Sequence, residues 1–246
     1  VLLAVTAANC TSARGDDVVF SMRSAPTTTS TPVATTTSAP APPPTTARPL
    51  AVRPPTTPKP TRPPRPRVVH EQAWTPFAIA GGVVTLHHPS SRVERVGFHE
   101  SNNDGARPLE ALPTAADPID LETRDRGTGG RTAADVVSDP DVEVRAPVSG
   151  RVKRAGTYTL YCKYRDDFVV IEPDERPGWE VKVLHIDGEV VHPGDRVVAG
   201  ETVLAPRPTK LPFASQVDDT TASPPWPHVH IEVVDPSIPD RPGPGC

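Results

Sequence analysis

His228 and His230, in WPHVHIEVVD, are the pair of side chains in this sequence whose spacing most directly invites chemistry. In an extended strand alternate residues share a face, about 7 Å apart along the chain, so the two imidazoles can turn toward one atom. A neutral imidazole offers a lone pair to a metal and exchanges a proton near neutral pH. The same spacing also suits two half-exposed histidines on the polar face of a strand, and the motif alone does not choose between them. Three residues far upstream tip the balance: His185 in VLHI, Asp135 in RTAADV and His99 in VGFHES. His185 has a plainer role open to it, because strict alternation puts it on the face of Val181 and Val183, as a core histidine. His87 and His88 precede Pro89 and read as turn residues.

Composition limits how much of the chain can position these groups. Of 246 residues, 34 are proline and 4% are aromatic, so much of the chain is not packed. A net charge of −4 gives no reason to expect a nucleic-acid partner, and no apolar run is long enough to span a bilayer. From Ala25 to Arg67 the sequence is Pro, Thr, Ser, Ala and Arg without an acidic residue, an expected disordered stalk whose Arg48, Arg53, Lys59, Arg62, Arg65 and Arg67 suit either an anionic wall or simple solubility. Residues 71–100 read as a pair of strands broken by GG and HPSS, and residues 107–131 as a polar loop. From Asp141 onward, VEVRAPV, GRVKRAG, DFVVIEP, WEVKVLHI, DRVVAGETVLA and HVHIEVV alternate with turn signals, and no segment keeps a helical period over three turns. The expected fold is all-β, an antiparallel sheet or sandwich of roughly 110 residues, enough for one core.

The opening VLLAVTAANC resembles the end of a secretory signal with a lipobox, in which Cys10 carries the lipid, although Asn9 departs from the usual small residue there. Any membrane association would then run only through that anchor, and the protein would be extracytoplasmic, secreted or held at a bacterial envelope. With Cys10 set aside, Cys162 and Cys246 are expected to pair in a disulfide, which an oxidising compartment permits.

The ordered series RTAADV, VRAPVSGRV, VKVLHI, VVHPGDRVVAGETVLA and HVHIEV resembles the M23 family of lysostaphin-type (LytM) zinc endopeptidases, the duplicated hybrid motif fold, over residues 131–234. The resemblance implies a peptidoglycan substrate, with two zinc ligands from HxxxD and a third from the second histidine of HxH. It places Asp135 and His230 as ligands and His185 and His228 as the catalytic pair. It also exposes a departure: Arg131 stands where a ligand histidine belongs. A guanidinium has only donors and a permanent charge, so it cannot ligate a dication. Either another residue, His99 first and His192 behind it, replaces that ligand and keeps a zinc site, or Arg131 pairs with Asp135 in a metal-free cleft that binds peptidoglycan or a partner cell-wall hydrolase. The metal-free arrangement is the primary expectation and an active zinc metalloendopeptidase the alternative.

Other classes fit less well. The APVSG and PGDRVVAGE segments also resemble biotinyl or lipoyl carriers, but those present a lysine on a hairpin tip, which is not expected here. No G-x-S-x-G is present, and HE at His99 lacks the second histidine of a zincin helix. The expected organisation is therefore a lipobox-like segment at 1–10, a linker at 11–70, accessory strands and a long loop at 71–130, the M23-like domain at 131–240 and a tail at 241–246.

Overall fold

The computed structural model describes residues 65–241. The expectations for Cys10 and for most of the stalk fall on residues outside these, as does the Cys246 end of the expected bond from Cys162. The last residues of the expected linker are attached to the domain: Arg67 donates to Glu94 at 2.9 Å and stacks on Trp226, with its guanidinium carbon 4.3 Å from the ring centroid.

The described chain is built almost wholly from strands, with a single short 3-10 turn at Val217–Thr220 and no helix long and apolar enough to cross a membrane. In order these are β1 (His70–Glu71), β2 (Pro76–Ala80), β3 (Val84–His87), β4 (Arg92–His99), β5 (Leu109–Ala111), β6 (Pro118–Asp120), β7 (Ala133–Ser138) and β8 (Val144–Arg145). They continue with β9 (Gly150–Leu160), β10 (Tyr164–Pro173), β11 (Glu180–Asp187), β12 (Arg196–Val197), β13 (Val203–Ala205), β14 (Arg207–Pro208) and β15 (His228–Val234). The main sheet runs β1-β4-β7-β15-β11-β10-β9-β12, with β14 beside β11 and β6 beside β4. All its pairings are antiparallel except β4 with β6. Small sheets β3-β2-β5 and β13-β8 complete the domain.

The run from Glu71 to His99 forms three longer strands where a pair was expected, because GG turns β2 into β3 and HPSS separates β3 from β4. His88 is not a turn residue on the surface: it is fully buried, donating Nδ1–H to Thr75 O at 2.7 Å and accepting the Ala116 N–H at Nε2. Burial pushes its pKa down to about 4. The polar stretch 107–131 also contributes two short strands, β5 and β6.

Register fixes which side chains meet. Across β4, β7, β15 and β11 one face carries Val96 and Phe98, Ala134 and Val136, Val229 and Ile231, and Val181 and Val183, all with zero exposure. The β3-β2-β5 sheet covers that face, bringing Phe77 to 6.4 Å from Phe98 between ring centroids, so one continuous core spans residues on both sides of Arg131. Alternation sends the intervening residues to the opposite face. The β9–β10 hairpin carries Lys163 beside its tip, which the sequence had not suggested; its ammonium lies 4.9 Å from the Tyr164 ring.

Candidate functional site

The uncovered face of the four central strands holds Asp135 on β7 between Gly97 of β4 and His230 of β15, each directly opposite it. Two residues beyond Gly97, His99 leans back onto Asp135. The Oδ1 atom of Asp135 lies 3.0 Å from His99 Nε2 and 2.9 Å from His230 Nδ1, and its Oδ2 lies 3.8 Å from His228 Nε2. Among the described residues His99, Asp135 and His230 form a group whose ligand atoms all lie within 4.8 Å of one another.

The hydrogen bonding of His99 places one of its protons. Nδ1 is 2.9 Å from the backbone oxygen of Glu100, which can only accept, so Nδ1 carries a proton; Nε2, facing the Asp135 carboxylate, either carries the second proton and donates to it or gives its lone pair to a cation shared with it. Nitrogen and oxygen atoms of three residues that can each ligate a metal therefore converge, and the cluster is held together by protons or by a cation at its centre. A tetrahedral zinc ion with bonds of about 2.0–2.1 Å keeps its ligand atoms about 3.3 Å apart; the His99–Asp135 and His230–Asp135 contacts, at 3.0 and 2.9 Å, are near that spacing, and three protein ligands leave one position open. The residues fit the metal.

Electrostatics follow from burial. Burial alone raises the Asp135 carboxyl, but the imidazoles packed against it, His99 and His228 by proximity and His230 and His99 by hydrogen bonding, outweigh burial and hold the group well below its ordinary value. His228 is pushed down to about 4, chiefly by burial. His230 is also buried, yet its contacts with Asp135 and Glu232 lift it to about 9. Glu232 lies one alternation beyond His230 and accepts Lys182 Nζ at 2.8 Å and Ser101 Oγ at 2.5 Å; burial raises its carboxyl, but His230 and Lys182 outweigh that and hold it below the usual carboxylate range.

His185 reaches this face through a bulge. Leu184 pairs with Phe168 and Ile186 with Asp167, so His185 is an extra residue in β11, with φ at +63°. The bulge resets the alternation: Ile186 rejoins the core after Val181 and Val183, and His185 leaves the face on which strict alternation had placed it. Its ring centroid stands 5.1 Å from that of His228 and 5.9 Å from that of His230. Nδ1 is 2.6 Å from Asp166 Oδ2, which also accepts the Tyr158 hydroxyl at 2.6 Å. Burial raises the Asp166 carboxyl, but these partners prevail and keep it ionised; burial and Asp166 together push Tyr158 up, so it stays a donor. Asp166 thus orients His185, leaving its Nε2 as the ring's second nitrogen.

Arg131 does not pair with Asp135. Its Nε and Nη2 donate to Asp120 at 2.5 and 2.8 Å, and its side chain is 45% exposed over the Phe98 ring. The parallel pairing of β6 with β4 brings Asp120 opposite Phe98, within reach of that guanidinium. His192 is also elsewhere, with its side chain 83% exposed beside Asp195. Sequence reasoning missed Asp166, Tyr158, Glu232 and Lys182. Glu232 was visible in HVHIE, on the same alternation as the two histidines, whereas Asp166 has no local signal because only β10–β11 pairing brings it to His185.

The cluster opens into a cleft of about 770 Å³. On the β4 side it is lined by Asn102, Arg124 and Arg126, and on the β10–β9 side by Tyr158, Tyr161 and Phe213. Comparison with protein-family models, with curated proteins and with solved structures gives no match for this chain.

Proposed function

We propose that the domain is a zinc-dependent hydrolase of peptide bonds, acting on cell-wall peptides as its resemblance to the M23 family implies. One observation carries this: His99 Nε2 joins His230 Nδ1 within 3.0 Å of a single Asp135 oxygen, from the strand next to the one that starts after Arg131. A donor displaced in sequence but adjacent in space restores the ligand number that Arg131 removes.

Bound by His99, Asp135 and His230, zinc would supply Lewis acidity toward a peptide carbonyl and acidify a water. The remaining work belongs to the chain. His185, with Nδ1–H donated to Asp166, keeps Nε2 able to take a proton from the attacking water and return it to the leaving amine. His228, held edge-on to His185 at an interplanar angle of 82°, is placed to donate to charge developing on the carbonyl oxygen. The cleft walls hold the peptide across the histidines and limit water.

A metal-free cleft that binds peptidoglycan or a partner wall hydrolase is the alternative, favoured by the His230 bond to Asp135, which can neutralise the buried carboxylate with a proton. Export to the envelope, a lipid on Cys10 and a Cys162–Cys246 disulfide belong to either proposal. Zinc content of the purified protein and solubilisation of peptidoglycan by wild type and His228→Ala separate them. One equivalent of zinc with His228-dependent solubilisation is expected; no zinc and no solubilisation would leave only the binding role.

A further inference from the structure

The segment after β6 is tied to the site by Glu100, the neighbour of His99. Its carboxylate accepts the Thr123 hydroxyl at 2.6 Å and the backbone N–H groups of Arg124 and Arg126 at 2.9 and 3.0 Å. Both arginine side chains line the cleft beside His99. Elsewhere on the domain, arginines such as Arg92, Arg196 and Arg207 each meet a carboxylate. Among the described residues the Arg124 guanidinium has no hydrogen-bond or ion-pair partner and Arg126 donates from Nη1 only to the backbone oxygen of Glu100; Arg107 and Arg176 also meet no carboxylate, but they lie over the Trp179 ring and outside this cleft.

The acidic groups in the cleft, Asp135 and Glu232, and Glu100 behind it are otherwise engaged. Asp135 is held by three histidines, Glu232 by Lys182 and Ser101, and Glu100 by the loop's own N–H groups and the Thr123 hydroxyl. Two planar forks of N–H donors, anchored through their backbone, are therefore left facing a peptide-sized cleft. A guanidinium fork matches a carboxylate with two parallel hydrogen bonds. On the far side of the histidines the wall is aromatic, from Tyr161 and Phe213, whose ring centroids lie 5.5 Å apart.

We propose that Arg124 and Arg126 form a carboxylate-binding subsite, so that the cleft selects peptides bearing a carboxylate on the β4 side of the histidine cluster. This rests on the cleft being a peptide-binding site, and it holds whether or not the bound peptide is cut. The carboxylate is that of an acidic side chain or of a free chain end, and both present the same group to the arginines.

Binding by the full-length protein, followed by fluorescence anisotropy, tests the subsite without turnover. The probes are dansyl-Gly-Phe-Gln-Gly-Gly-amide, its Gln-to-Glu counterpart, and the same Gln peptide with a free C-terminus. At least one carboxylate probe is expected to bind about tenfold more tightly than the neutral amide. That preference should vanish in the Arg124→Gln/Arg126→Gln double variant and survive in Arg131→Gln, with the thermal midpoint of both variants unchanged. Preference for the Glu probe assigns the side chain, and preference for the free-ended probe assigns the chain terminus. Equal affinity for all three probes, weak or strong, overturns the proposal, as does a preference that persists in the double variant. A carboxylate preference in a protein that holds no zinc and cuts nothing would sink the hydrolase and leave the subsite standing.

Discussion

The two faces of β4, β7, β15 and β11 are made by the same backbone and obey different rules. On the covered face, Phe98, Val136, Ile231 and Val183 need only be apolar and fill the space beneath the β3-β2-β5 sheet. On the open face His99, Asp135, His230 and His228 must each be a particular chemical group at a particular distance. The covered face secures the register, and the register in turn brings together residues as far apart in sequence as 99 and 230. Stability should therefore respond to changes on one face and chemistry to changes on the other.

The sharpest division of labour is expected from His99→Ala. On the proposed zinc reading it removes one of three ligands from the open face, so bound zinc should fall from one equivalent to a small fraction, and peptide hydrolysis to background, with the fold intact by circular dichroism. Retention of stoichiometric zinc would show that the cation sits elsewhere. The opposite change is Phe98→Ala, one residue away and pointing the other way. Truncating a fully buried phenylalanine costs about 3–5 kcal/mol of stability, read from urea unfolding, while the folded fraction should still bind zinc. If Phe98→Ala abolished metal binding in molecules that remain folded, the two faces would not be separable.

Asp166→Asn tests the second layer of the open face. Asparagine keeps the size but lets the ring of His185 adopt the wrong tautomer, so kcat should drop by about a hundredfold, near 2.7 kcal/mol, with zinc content and KM little changed. A parallel loss of zinc would mean that Asp166 supports the proposed metal cluster instead of orienting His185 for the proposed proton transfer.

How much of this the sequence discloses also differs between the faces. Alternation in HVHIEVV and WEVKVLHI displays the strands and the covered face, because burial on one side leaves a period of two. The His228–His230 pair is legible for the same reason. His185 is legible as a residue but not as a direction, since the bulge that turns it depends on a register shift between Asp167 and Phe168 in another strand. Asp166 is silent in sequence because no spacing rule links positions joined only by strand pairing. His99 lies between these cases: its type marks it as a donor, but only the pairing of β4 with β7 sets it against Asp135.

Arg131 gives the smallest expected effect and the most specific check. By its place in the series it resembles a lost ligand; in the fold it is an exposed cation bound to Asp120, outside the cluster. An exposed ion pair contributes about 0–1 kcal/mol, so Arg131→Ala should move stability within that range and leave zinc content untouched. Arg131→His is the more telling substitution. If His99 already fills the ligand position, a histidine at 131 adds no second equivalent of metal and no activity in the wild-type background. In the His99→Ala background it restores little, because residue 131 precedes β7 and its side chain is directed toward Asp120 and the Phe98 ring. Full recovery of zinc in the His99→Ala/Arg131→His double variant would instead mean that the position before β7 still reaches Asp135, and that the two histidines are interchangeable donors.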